Sequence, residues 1–135
     1  MYQELVLNND PKSIISETIR TLRTNLQFAS VDKKIKTILI TSSVPGEGKS
    51  FIAANLACAF AQSGSRVLLV DCDIRKGRQH YIFNSHNKSG LSNLLLENVK
   101  EKSPIEIFEN LYLKQNASAL NDEQTKLLKD IVKEV

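Results

Sequence analysis

Eight consecutive residues, Ser43-Val44-Pro45-Gly46-Glu47-Gly48-Lys49-Ser50, carry the most specific chemistry in the chain. They follow the pattern G-x-x-x-x-G-K-[ST] except at its first position, where Ser43 stands for glycine. The chemistry survives that change. Gly46 and Gly48 let the backbone curl so that successive N–H groups face inward as an anion nest. A helix beginning at Lys49 adds its positive N-terminal end. Lys49 supplies a point charge for β and γ phosphates, and the Ser50 hydroxyl is a ligand for Mg²⁺.

A second group lies some twenty residues on, in Val67-Leu68-Leu69-Val70-Asp71-Cys72-Asp73-Ile74-Arg75. Ligand sites of open parallel sheets form at the carboxyl ends of strands. Asp71 and Asp73 are therefore expected beside the phosphate loop, one holding Mg²⁺ through water and one taking a hydroxyl proton as general base. Arg75 is placed to contact a phosphate or the carboxylate pair.

Several elements must position these groups. Residues 1–10 read as a polar arm. Asp10-Pro11 reads as the start of a helix over 11–29, whose stripe Ile15, Ile19, Leu22 and Leu26 is expected to pack inward. Residues 37–41 (TILIT) read as a buried strand. The Ala-rich run from Lys49 to Gln62 reads as a helix with Gly64 at its C-cap, and 66–70 (RVLLV) reads as a second buried strand. Residues 37–71 then form a right-handed β-α-β unit. The chain is expected to be loop-like from Asp73 to about Ser89, with a short helix at 91–96, a short strand at 111–113 and a last helix from Asn121.

Composition excludes some classes. The 135 residues carry a formal net charge of +3, too mild to indicate nucleic acid. Residues 41–96 hold six basic and three acidic groups, so the positive excess surrounds the loop. Two cysteines, Cys58 and Cys72, make neither a disulfide scaffold nor a metal cluster. Cys58 reads as core packing, and the acidic neighbours of Cys72 disfavour its thiolate. His80 and His86 have no third partner at metal-ligand spacing and read as loop residues. No run of 18 apolar residues exists and no signal-peptide core is present, so a cytoplasmic location is expected.

The segment TSSVPGEGKSFIAANLA, from Thr41, closely resembles the Walker A region of bacterial tyrosine kinases of capsule and exopolysaccharide biosynthesis. VLLVDCDIRK resembles that family's Walker A′ motif, and Glu17-Thr18-Ile19-Arg20-Thr21-Leu22-Arg23 matches its E-x-x-R-x-x-R helix motif. The resemblance implies a P-loop NTPase-like α/β fold, a parallel sheet with flanking helices. It implies ATP and Mg²⁺ as cofactors. Val44, Pro45, Gly46, Glu47, Gly48, Lys49, Ser50, Phe51 and Arg75 would then bind the nucleotide, Ser50 and Asp71 the metal, and Lys49, Asp71 and Asp73 would be catalytic. It further implies ring-like self-association through Glu17, Arg20 and Arg23, and a transmembrane adaptor of polysaccharide production as partner, which would hold the chain at the inner face of the plasma membrane.

The chain also departs from the family pattern. Gly77 stands where Pro is usual. No apolar strand ending in Asp follows Asp73, so the Walker B motif is missing, as is the tyrosine cluster: the tyrosines are Tyr2, Tyr81 and Tyr112. The Walker B strand is expected between 37–41 and 66–70. Without it these two must close the gap, borrow a strand or leave backbone groups unpaired. The reading is thus one partial kinase domain over 1–135, truncated before Walker B. It comprises an assembly helix (1–30), a nucleotide-binding core (36–96) and a divergent tail (97–135). Two alternatives stand beside an autokinase: a non-catalytic nucleotide-binding or assembly fragment, and an ATPase switch of the partitioning and cell-division type. The switch usually carries an extra Lys early in the loop, where this chain has Ser43 and Val44.

Overall fold

The computed structural model describes residues 4–29, 32–73, 76–85, 105–108 and 111–114. Its centre is the helix that follows the phosphate loop. In chain order the elements are α1 (Val6–Asn9), α2 (Ile14–Phe28), α3 (Lys49–Gln62), β1 (Val67–Val70), α4 (Gln79–Ile82), β2 (Ile105–Phe108) and β3 (Leu111–Lys114). α3 packs against α1, α2, α4, β1 and β3. It is buried along most of its length, at Ala54, Asn55, Leu56, Ala57, Cys58, Ala59 and Ala61, and its small side chains allow close approach from several directions.

α3 ends as the sequence indicates. Gly64 is left-handed (φ +89°). Its N–H donates to Ala61 O at 3.0 Å and the Ser65 N–H donates to Phe60 O at 3.1 Å, the paired bonds of a Schellman stop.

The N-terminal segment is no polar arm. Leu5 and Leu7 are fully buried in the core with Ile19, Cys58, Ile82 and Phe83. Asn55 of α3 holds the segment in place: its Nδ2 donates to Glu4 O at 2.8 Å and to Phe51 O at 3.0 Å, and its Oδ1 accepts from Leu7 N at 3.4 Å. The apolar run Leu5-Val6-Leu7 is too short to show a helical period.

α2 begins three residues later than Asp10-Pro11 suggests. Ser13 is its N-cap, accepting from Ser16 N at 3.1 Å. The expected inward stripe is also corrected. Ile19 is 3% exposed, but Ile15 is 51% and Leu22 37% exposed. The buried face turns instead on Ser16 and Ile19. Ser16 wins its place because its hydroxyl lies 2.7 Å from Asp10 O, closing the turn that precedes the helix.

The sheet differs most from expectation. Its order is β1-β3-β2, with β1 parallel to β3 (Val67↔Leu111, Leu68↔Tyr112, Leu69↔Leu113, Val70↔Lys114) and β2 antiparallel to β3. It is therefore mixed rather than purely parallel, because two residues between β2 and β3 permit only a hairpin. The strand expected at 37–41 does not form. Residues 34–42 belong to no strand, and Leu39 is 66% exposed. So the β-α-β unit lacks its first strand. A strand exists only where a neighbour offers a ladder, and among the described residues β1 pairs with β3 alone. Of the three ways to manage a missing neighbour, this chain leaves 37–41 unpaired.

α4 corrects the loop expected up to Ser89 and carries His80 with it. Ile82 and the following Phe83 anchor this turn in the core. The helices expected at 91–96 and from Asn121 lie outside the described residues. Among the described residues no helix is long and apolar enough to cross a membrane.

Candidate nucleotide-phosphate site

Gly46 (φ +83°) and Gly48 (φ +84°) take the left-handed conformation that the nest requires. A Cβ at either would meet nothing within 4 Å, so the constraint on both is conformational rather than steric. Gly48 is the N-cap of α3 and no side chain caps the helix. The first-turn N–H groups of Lys49, Ser50 and Phe51 are thus without helical acceptors, the arrangement that suits an anion. The loop itself is exposed from Ser43 to Gly48.

Glu47 occupies part of the loop mouth. Its Oε2 accepts from Ser43 N at 2.9 Å and stands 3.5 Å from Val44 N. A carboxylate of the chain itself therefore bonds where Ser43 has replaced glycine. The motif marks Glu47 as a variable position, so spacing alone gave no sign of it.

Asp71 and Asp73 end β1 on the loop side. Lys49 Nζ lies 3.5 Å from Asp73 Oδ2, with both side chains partly exposed. Asp71 is nearly buried, at 7% exposure. Its Oδ1 accepts from Asp73 N at 3.0 Å and its Oδ2 from Gln79 N at 3.2 Å. Asp73 Oδ1 accepts from Lys76 N at 2.9 Å. Local backbone amides thus fix both carboxylates. Arg75 lies outside the described residues. Burial, and then the charge of Asp71, raises the Cys72 thiol, while burial pushes Cys58 up to about 12. Both shifts disfavour the thiolate, the nucleophilic form.

Of two residues near this pair, Gly77 was read only as a departure from the family pattern and Gln79 was not read at all. A Cβ at Gly77 would lie 3.0 Å from Asp71 Oδ2 and 3.2 Å from Asp73 O. The Gly-for-Pro difference is therefore a close contact with the acidic pair. Gln79, 4% exposed, donates from Nε2 to Ser50 O at 3.0 Å and from its backbone N–H to Asp71. It joins the first turn of α3 to the end of β1. Its Oε1 is buried and has no hydrogen-bond partner among the described residues.

The residues present fit a hard cation beside a polyphosphate. Among the described residues no cluster of three or more His, Cys, Asp or Glu could hold an ion. Mg²⁺, however, is usually held by one or two carboxylates plus substrate phosphates, and keeps several waters. Ser50 and Asp71 are the candidate oxygens for such a site, and Gln79 links them through bonds to the Ser50 carbonyl and the Asp71 carboxylate.

Glu17, Arg20 and Arg23 do not behave as a set. Arg20 Nη1 lies 2.7 Å from Glu17 Oε1 and donates to Pro11 O at 2.7 Å, all on the surface of α2. Arg23 instead turns onto α3 and donates from Nη1 to Ala59 O at 2.9 Å.

A Gly-rich turn leading into an uncapped helix, with the Lys49 and Asp73 side chains meeting beside it, defines a phosphate-loop nucleotide-binding domain. The family model of the CobQ/CobB/MinD/ParA nucleotide binding domain matches residues 38–80. Within that class the chain is similar to bacterial tyrosine-protein kinases. It is 50% identical over 97 residues to the tyrosine-protein kinase YwqD of Bacillus subtilis, covering 72% of this chain and 41% of that one. To the tyrosine-protein kinase wzc of Salmonella typhimurium it is 40% identical over 92 residues, covering 68% of this chain and 13% of that one. The crystal structure of the chimerical protein CapA2B2 superposes with a TM-score of 0.78 at 39% identity, covering 99% of this chain and 63% of that one. The kinase domain of the Escherichia coli tyrosine kinase ETK gives 0.78 at 28% identity, covering 97% and 52%. The chain thus spans less than two thirds of each of these relatives, and about two fifths of YwqD.

Proposed function

We propose that the chain binds ATP with Mg²⁺ and serves as the nucleotide-binding part of a protein tyrosine kinase that regulates capsular or exopolysaccharide biosynthesis. The observation that carries this reading is the approach of Lys49 to Asp73 beside the uncapped start of α3. Phosphoryl transfer is mostly positioning and charge neutralisation, and these groups supply both. Lys49 would hold the β and γ phosphates together with the loop amides. Ser50 and Asp71 would hold Mg²⁺, which when bound neutralises phosphate charge. Asp71 suits that role because two backbone amides fix it in a nearly buried position. Asp73 would accept the proton of an incoming tyrosine hydroxyl once Lys49 turns to phosphate.

The names of the relatives support the kinase reading. By the same resemblance, the partner is the cytoplasmic tail of a transmembrane adaptor, which would bring the chain to the inner face of the plasma membrane. Titration of the chain with a fluorescent ATP analogue, with and without Mg²⁺, tests the proposal. Saturable binding that Mg²⁺ strengthens supports it, and unchanged affinity in Lys49→Ala would sink it.

A second reading, a non-catalytic assembly module, is favoured by α2. Ile14, Ile15, Leu22 and Phe28 are all exposed on this helix, alongside exposed Glu17 and half-buried Arg20. An apolar face bordered by an ion pair suits contact with another copy in a ring. Phosphotyrosine on the purified chain, lost in Asp71→Asn, would decide for the kinase.

A further inference from the structure

Gln79 has a place that the phosphate-loop motif does not explain. It is nearly buried, it sits on a turn anchored by Ile82 and Phe83, and it is bonded at once to the carbonyl of Ser50 and the carboxylate of Asp71. These two residues come from different elements, the start of α3 and the end of β1. Gln79 sets the spacing between the two candidate metal ligands. One polar atom is left over, the buried Oε1 with no partner among the described residues. Buried acceptors are nearly always satisfied, so an orphan of this kind points to a donor that arrives with a ligand.

The chemistry of the site limits that donor. The Gln79 oxygen accepts only, so neither a phosphate oxygen nor a bare cation beyond its reach would satisfy it by hydrogen bonding. A water held by Mg²⁺ would, since Mg²⁺ keeps several waters when bound through one or two carboxylates. Outer-sphere acceptors of this kind orient metal ligands and strengthen binding.

We propose that Gln79 is a positioning residue for the metal: it holds Asp71 against Ser50, and its Oε1 accepts a hydrogen bond from a water ligand of Mg²⁺. This rests on the phosphate-loop reading given above.

The test uses the full chain and a fluorescent ATP analogue, titrated in EDTA and then with increasing Mg²⁺. Gln79→Met keeps the backbone N–H to Asp71 and a similar volume, but loses both side-chain polar atoms. It should raise the Mg²⁺ concentration for half-maximal response by about 10–100-fold, as loss of such partners does elsewhere. Affinity in EDTA and helix content by circular dichroism should stay at the parent's values. Gln79→Glu restores the acceptor but not the Nε2–H donated to Ser50 O, so it should return the half-point part of the way to that of the parent; it carries the test if the Met variant loses helix content. The proposal is overturned if the Met variant has the parent's Mg²⁺ half-point, or if affinity falls equally with and without Mg²⁺. It is equally overturned if the Glu variant responds as poorly as Met. A parent chain that binds no nucleotide in either condition removes the phosphate-loop reading itself, and this one with it.

Discussion

Lys49 and Asp73 form an ion pair at 3.5 Å that ties the start of the phosphate helix to the end of β1. The cation expected to meet phosphate therefore rests against a carboxylate of the chain itself. Lys49→Ala should lower ATP affinity by roughly 10–150-fold, matching about 1.5–3 kcal/mol for a lost charged hydrogen bond. Asp73→Asn should leave affinity equal or higher, because it frees Lys49, yet reduce any phosphoryl transfer. Equilibrium titration beside a phosphotyrosine assay separates the two effects.

Glu47 places negative charge at the mouth of a site for polyphosphate. Glu47→Gln keeps an acceptor for the Ser43 amide and removes the charge. At about 8 Å in water-like surroundings a unit-charge pair costs roughly 0.5 kcal/mol, so affinity should rise about twofold for each facing phosphate charge. The gain should shrink as salt is added. A fall in affinity would mean that the carboxylate chiefly holds the loop in shape.

Gly77→Ala should disturb Asp71 without unfolding the chain. The new Cβ would stand 3.0 Å from Asp71 Oδ2 and 3.2 Å from the Asp73 carbonyl, so one of them must yield. The expected outcome is a weaker Mg²⁺ response of nucleotide binding with near-parental thermal stability. An unchanged Mg²⁺ titration would show that the 76–78 segment relaxes at no cost to the carboxylate.

Arg20 and Arg23 should separate on mutation. The exposed Arg20–Glu17 pair is worth only about 0.2–0.5 kcal/mol, so Arg20→Ala should leave urea unfolding nearly unchanged. Arg23→Ala loses a bond to the Ala59 carbonyl and should cost about 1–3 kcal/mol. If light scattering detects self-association, Arg20→Ala should weaken it with the fold intact. Equal unfolding midpoints for the two variants would contradict the division of labour.

The phosphate loop, α3 and β1 were legible because each is specified locally. Gly46, Gly48 and Gly64 need left-handed backbone, and the apolar run at 67–70 forms a strand, though a half-buried one rather than the buried one expected. The sequence misled where a partner decides the outcome. Residues 37–41 have strand composition, but a strand needs a neighbour. The α2 stripe fits helical spacing, yet a buried Ser16 hydroxyl bonded to Asp10 O turns a different face inward. Gln79 went unread, and Gly77 was read only as a departure from the family pattern, for a third reason. Their roles come from touching Asp71, and contacts across a turn leave no periodic trace.

The order β1-β3-β2 has a consequence for handling the protein. β1 is Val67-Leu68-Leu69-Val70, and among the described residues one side of it carries no partner. It has no charge, proline or bulge of the sort that blunts a sheet margin. Such a margin is a template for intermolecular strand pairing. Concentrated solutions should therefore gain thioflavin-positive, cross-β aggregates that seed one another, and a single Lys at Leu68 should suppress them.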